Sequence, residues 1–240
     1  MRALSSIAPM LLLLPLPAAA GSFAPPEGCT TFLTVQARQC RVAHHYRCSG
    51  QPAGDQWRAD FDQQGPFFLS RINSEGEWVE SYDLSGNPIS RQSLMAGAKD
   101  PASFSGLISS GSDSFDFDLQ HEPGAQSHVK GFDTLTGQTV TIDGVELKQT
   151  QYEYTERDGS GQILRQARGF EYIHPEWRLF FAGPSESRNA DGDFLPYDGS
   201  PVAFIFPGEA GFASTEPLFD CDPLMMRFTP SQKESSHDHL

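Results

Sequence analysis

The sequence predicts an all-β protein with one short helix, an antiparallel meander forming a barrel, half-barrel or sandwich. Three observations predict it. Runs in which apolar and polar residues alternate return at short intervals from Cys40 onward, turns rich in Gly, Asp and Asn separate them, and helical periodicity is almost absent.

Taken in order, residues 40–48 place Cys40, Val42, His44, Tyr46 and Cys48 on one face and Arg41, His45 and Arg47 on the other. Trp57, Ala59 and Phe61 alternate with Arg58, Asp60 and Asp62. Residues 67–72 and 77–84 flank Asn73, Ser74, Glu75 and Gly76 as a hairpin, and Ser85, Gly86, Asn87 and Pro88 turn the chain into a strand over 89–94. The helix is expected next. Asp100 can cap it, Pro101 suits its first position, Phe104, Leu107 and Ile108 share a face, and Gly111 ends it. Phe115, Phe117 and Leu119 resume the alternation against Asp116 and Asp118. Strands follow over 129–135, 139–142, 145–157, 162–173 and 177–182, with turns at Gly137, at Asp143 and Gly144, and at Gly159 to Gly161. Residues 184–200 read as a loop before an apolar strand over 202–206.

The N-terminus reads as an export signal. Arg2 precedes an uncharged run centred on Met10 to Leu14, and Pro15, Pro17 and Ala18 to Ala20 supply a small-residue cleavage site. The domains expected are a signal peptide over 1–20, a single β-rich domain over 21–230 and a polar, disordered tail over 231–240. The first cysteine, Cys29, stands too far past the small-residue box for lipidation, and no later apolar run approaches the ~20 residues of a membrane span. The location implied is periplasmic or secreted.

Cys29, Cys40, Cys48 and Cys221 all lie beyond the leader and suit two disulfides. If residues 41–47 are extended, Cys40 and Cys48 stand roughly 26 Å apart and cannot pair. Cys29 with Cys40 and Cys48 with Cys221 is the pairing expected. A zinc site is disfavoured because no CxxC occurs. The chain carries 31 acidic against 17 basic residues, a net charge of −14, which disfavours nucleic acid and anionic membrane as partners.

No catalytic, cofactor or metal signature appears. There is no GxSxG, and the serines around Gly111 have no sequence reason to be activated. Asn189, Asp191 and Asp193 begin like a calcium loop, but Phe194 replaces its turn glycine and Ser200 its bidentate glutamate. Asp116 and Asp118 share a strand face, His44 and His45 point to opposite faces, and His237 and His239 lie in the polar tail. His174, beside Glu171 and Glu176, is the best lone acid-base candidate, although His174 and Pro175 also suit a corner between strands.

The aromatic residues are the most suggestive feature, with 18 Phe in the chain. Phe67, Trp78, Tyr82, Tyr152, Tyr172 and Trp177 are the candidate ligand-binding residues. Phe67 with Phe68, Tyr172 with Ile173, and Phe180 with Phe181 put bulk on both faces of their strands. A sheet covered on both sides, or one lining a ligand cavity, gives this pattern. The meander, single helix and aromatic strands together resemble the half-barrel lipid and lipoprotein carriers of the bacterial periplasm, with no motif shared residue by residue. Three functions are expected in order: a non-catalytic binding or carrier module for an apolar molecule, an envelope assembly protein meeting a partner through its acidic surface, and a hydrolase using Glu171, His174 or the Ser109 loop. No cofactor is expected.

Overall fold

The computed structural model describes residues 21–189 and 191–221. The signal peptide expected over 1–20 and the tail expected over 231–240 lie outside the described residues. Among the described residues the strands are β1 (Cys29–Ala37), β2 (Arg41–Cys48), β3 (Gln56–Asp62), β4 (Gly65–Ile72), β5 (Trp78–Asp83), β6 (Ser90–Leu94), β7 (Ser112–His121), β8 (Gln126–Ile142), β9 (Val145–Asp158), β10 (Ile163–His174), β11 (Leu179–Arg188), β12 (Phe194–Asp198) and β13 (Pro201–Ile205). The helix α1 (Phe104–Ser110) lies between β6 and β7.

All 13 strands form one sheet in which each pairs with its chain neighbour from β1 to β12, and β13 pairs with β1. Every pairing is antiparallel. The all-β meander expected from the sequence is therefore the fold. It does not close into a hydrogen-bonded barrel: β12 and β13, separated in the chain by Gly199 and Ser200, stand at opposite edges of the sheet. A side-chain contact links the β12 edge to the other end of the sheet, where the Arg41 guanidinium on β2, two strands in from β13, donates to the Tyr197 hydroxyl on β12 at 2.9 Å.

Local chemistry explains the turns. Asp143 and Gly144 adopt φ of 48° and 77°, the left-handed pair a two-residue hairpin needs. Gly111 closes α1 at φ 86°, and its N–H donates to the Leu107 carbonyl. The cap at the other end is Ser103, whose hydroxyl accepts from the Gly106 N–H at 3.0 Å. Asp100 instead forms an isolated bridge with Asp116, so α1 begins later than the sequence suggests.

Three further elements differ from expectation. β1 was hidden because a register shift between Thr31 and Leu33 breaks its alternation. Gly137, expected as a turn, sits at a bulge inside the 17-residue β8, where the register with β9 shifts between Leu135 and Thr139. Residues 184–200 hold the polar half of β11 and all of β12, whose ladder spans Pro184 with Asp198 through Arg188 with Phe194.

The disulfides are Cys29–Cys48 and Cys40–Cys221, which overturns the expected pairing. Once β1 exists, Cys29 stands directly opposite Cys48 in the β1–β2 ladder, with Cα atoms 3.9 Å apart. Cys40 occupies the turn between these strands, where its N–H donates to the Phe219 carbonyl and brings Cys221 alongside. The argument that Cys40 and Cys48 cannot pair holds.

The core divides in two around the end of the β10–β11 hairpin. Tyr172, Leu179 and Phe181 pack with Leu33, Val35 and Phe204 of β1 and β13, while Ile173 and Phe180 pack with Phe104 and Leu107 of α1. This hairpin is covered on both faces, which accounts for its paired bulky residues. A third cluster joins Phe115, Phe117, Leu119 and Val129. Gly131 lies within this region, and a Cβ there would meet the Glu153 carbonyl oxygen and the Phe115 ring, the latter at 2.6 Å. Gly131→Ala is expected to cost about 2 kcal/mol by overpacking, read as a lower urea midpoint at unchanged slope.

Candidate functional site

The curled sheet lines a partly open cavity of about 390 Å³. Its walls come from β2 to β6 on one side and β7 to β11 on the other, with Phe104 and Leu107 of α1 bordering it. The volume falls in the roughly 300–1,000 Å³ range of small-molecule sites.

Aromatic rings supply one part of the lining. Trp78 meets Phe117 and Tyr154 edge to face, with centroids 5.6 and 5.5 Å away, and Phe115 and Tyr152 continue the surface. Strand register supplies the other part. Asp133 stands opposite Tyr152 across β8 and β9, and Tyr152 opposite Gly169 across β9 and β10. Glu171 follows two residues after Gly169, so the period of two returns it to the face carrying Asp133. Both carboxyl groups border the cavity.

The lining's charges are unevenly matched. Arg58 donates to Asp60 at 2.9 Å, Arg71 reaches Asp55 and Glu80, each at 2.7 Å, and Arg165 pairs with Glu156. Asp113 accepts from the Ser103 N–H at 2.8 Å. Asp133 and Glu171 have neither a hydrogen bond nor an ion pair among the described residues. Burial, reinforced by the mutual repulsion of the two groups, pushes the Glu171 carboxyl above the ordinary carboxylate range, against the pull of Arg58. Burial and then Asp113 push Asp133 in the same direction. Burial also raises the Tyr152 phenol to about 12. The site therefore holds carboxylic acids, a phenol and aromatic faces around one space.

Of the six aromatic residues singled out from the sequence, the cavity brings together Trp78 and Tyr152. Tyr172 and Trp177 belong to the packed core, where Trp177 also stacks on His174 with centroids 3.7 Å apart. Phe67 lies under the Arg41 guanidinium at 4.9 Å, and the Tyr82 hydroxyl donates to Glu80 beside Arg91. The hydrolase candidates do not converge. Glu171 borders the cavity, but the His174 Nδ1 accepts the Trp177 N–H within the β10–β11 turn, and the Ser109 hydroxyl donates to the Gly106 carbonyl on α1. Among the described residues no three His, Cys, Asp or Glu side chains gather as a metal site. The calcium-like segment closes on itself, with the Asp193 N–H donating to the Asn189 side chain at 2.8 Å.

Asp133, Tyr154 and Arg58 escaped the sequence reading. Asp133 did carry a signal, because it falls in phase with Val129, Gly131 and Leu135, the inward phase of β8. Arg58 and Asp60 look like an outer face, yet they point inward. The apolar phase of β2 and β3 packs outside, where the Phe23 ring stacks on His44 at 4.6 Å and meets Tyr46 and Phe61. His45, on the opposite phase of β2, is also buried and borders the cavity, so β2 is covered on both faces.

Fold and site together define a curled antiparallel meander around a mixed aromatic and acidic cavity. Comparison with known protein families, curated proteins and solved structures finds no match for this chain. No helix among the described residues is long and apolar enough to cross a membrane.

Proposed function

We propose that the protein is a non-catalytic binding or carrier module that takes a small, largely apolar molecule into the cavity. The observation supporting this reading is the partly open 390 Å³ space walled by aromatic rings and bordered by a few polar groups. Two disulfides and the leader-like N-terminus support a working place outside the reducing cytoplasm, periplasmic or secreted.

The test is titration with the neutral probe N-phenyl-1-naphthylamine, whose emission rises in apolar surroundings. Saturable one-to-one binding is expected. Ala182 borders the cavity opposite Glu171 in the β10–β11 ladder, so Ala182→Trp should fill the space and abolish the signal without lowering the melting temperature. A wild-type protein that gives no saturable signal, or a variant that binds as well as wild type, removes this reading.

A further inference from the structure

We propose that the ligand is an organic cation, an amphipathic amine whose apolar body lies against the aromatic wall and whose ammonium group is held by Asp133 and Glu171. This rests on the reading of the cavity as a ligand site and names its chemistry.

The argument begins with the charges. Each arginine bordering the cavity already has a carboxylate: Arg58 has Asp60, Arg71 has Asp55 and Glu80, and Arg165 has Glu156. The charges left over are acidic: Asp113 accepts only the Ser103 N–H, and Asp133 on β8 and Glu171 on β10, which share one sheet face across β9, have no partner among the described residues. Native proteins seldom enclose a carboxyl group without a partner, because its desolvation then goes uncompensated. Here two half-buried carboxyl groups line one cavity on the same sheet face, with no hydrogen bond to either among the described residues. A group that donates several hydrogen bonds and carries positive charge supplies what both lack.

The remaining walls choose among cations. A bare metal ion would need further ligating side chains, and no three His, Cys, Asp or Glu residues gather among the described residues. An ammonium group on a hydrocarbon or aromatic body fits better. Trp78, Tyr152, Tyr154 and Phe115 border the same space, offering apolar area to the body and ring faces to the charge. An anionic ligand fits worse, since Arg58 would have to leave Asp60 and the anion would stand beside two acidic groups.

The test uses the full chain with both disulfides formed and three probes that differ only in their end group: 4-phenylbutylamine, 4-phenylbutanol and 4-phenylbutanoate, titrated by calorimetry at pH 8. The amine is expected to bind at least about tenfold tighter than the alcohol, and the carboxylate weakest. In Asp133→Asn with Glu171→Gln, the amine should fall to within about threefold of the alcohol, whose own affinity stays unchanged. Trp78→Leu should weaken all three probes and preserve their order. An amine that binds no better than the alcohol, or a carboxylate that binds tightest, overturns the cation assignment while the cavity reading stands. An amine preference that survives the double substitution overturns the assignment to Asp133 and Glu171, and three probes that all fail to bind remove both readings. Each single substitution, checked by its melting curve, serves if the double variant does not fold.

Discussion

Removing the Cys40–Cys221 bridge, as Cys40→Ser with Cys221→Ser, is expected to cost about 5 kcal/mol of stability. The bond joins residues 181 apart, and in the chain-entropy model a loop of that length constrains the unfolded chain by about that amount. Cys29–Cys48 closes only 19 residues, and its loss should cost about 3 kcal/mol. The β1–β2 ladder that also aligns those two cysteines remains when their bond is gone. Against the usual 5–15 kcal/mol of a folded domain, the first loss removes about a third or more of the stability. Urea unfolding of the two double variants measures both values. A smaller loss for the long loop than for the short one would show that native contacts around residues 217–221 hold the C-terminal end without the bond.

Asp133→Asn together with Glu171→Gln is expected to act in the opposite direction and raise stability at pH 8 by about 3 kcal/mol. The sign follows from proton linkage. Both carboxyl groups have folded-state affinities for protons above their unfolded ones, so between the ordinary carboxylate value near 4 and the raised folded values the native state holds the extra protons. Wild-type stability therefore falls as pH rises through that window, and the penalty is fully present above it. Below about pH 4 both states are protonated and the contribution disappears. The amide variant carries no such slope, so the two proteins should melt together at pH 4 and diverge by roughly 6–12 °C at pH 8. The groups facing the pair, Asp113 and Arg58, are unchanged in the variant and cancel in the comparison. Equal melting temperatures at both pH values would mean that the carboxyl groups ionise freely. A gain in stability at the expense of ligand affinity is what a site retained for function produces.

Much of this architecture was legible because its turns are local chemistry. Asp143 with Gly144, Asn73 to Gly76 and the Gly111 cap each announce a reversal or an end that tertiary contacts do not override. β1 and the outer half of β11 were not legible for a common reason: their residues are specified by neighbouring strands more than by their own alternation. The disulfide pairing failed with β1, since only that strand places Cys29 opposite Cys48. In the site, Trp78 and Tyr152 could be singled out by residue type alone. Arg58 could not, because a polar phase that faces a cavity has the same sequence pattern as one that faces water. Only the apolar layer of Phe23, His44 and Phe61 on the far side of β3 distinguishes the two, and Phe23 comes from a segment outside the strands.

The strand order also fixes when this molecule can finish folding. From β1 to β12 each new pairing joins a strand to the one just before it, so the sheet can grow as successive hairpins with short loop closures. One pairing breaks that rule. β13 must return to β1, matching Phe204 with Val35, after almost the whole described chain has been laid down. A chain still emerging during synthesis has its hairpins available and its last seam missing. Formation of the β13–β1 seam and oxidation of Cys40 with Cys221 then belong to one late event, after the C-terminal strand has arrived.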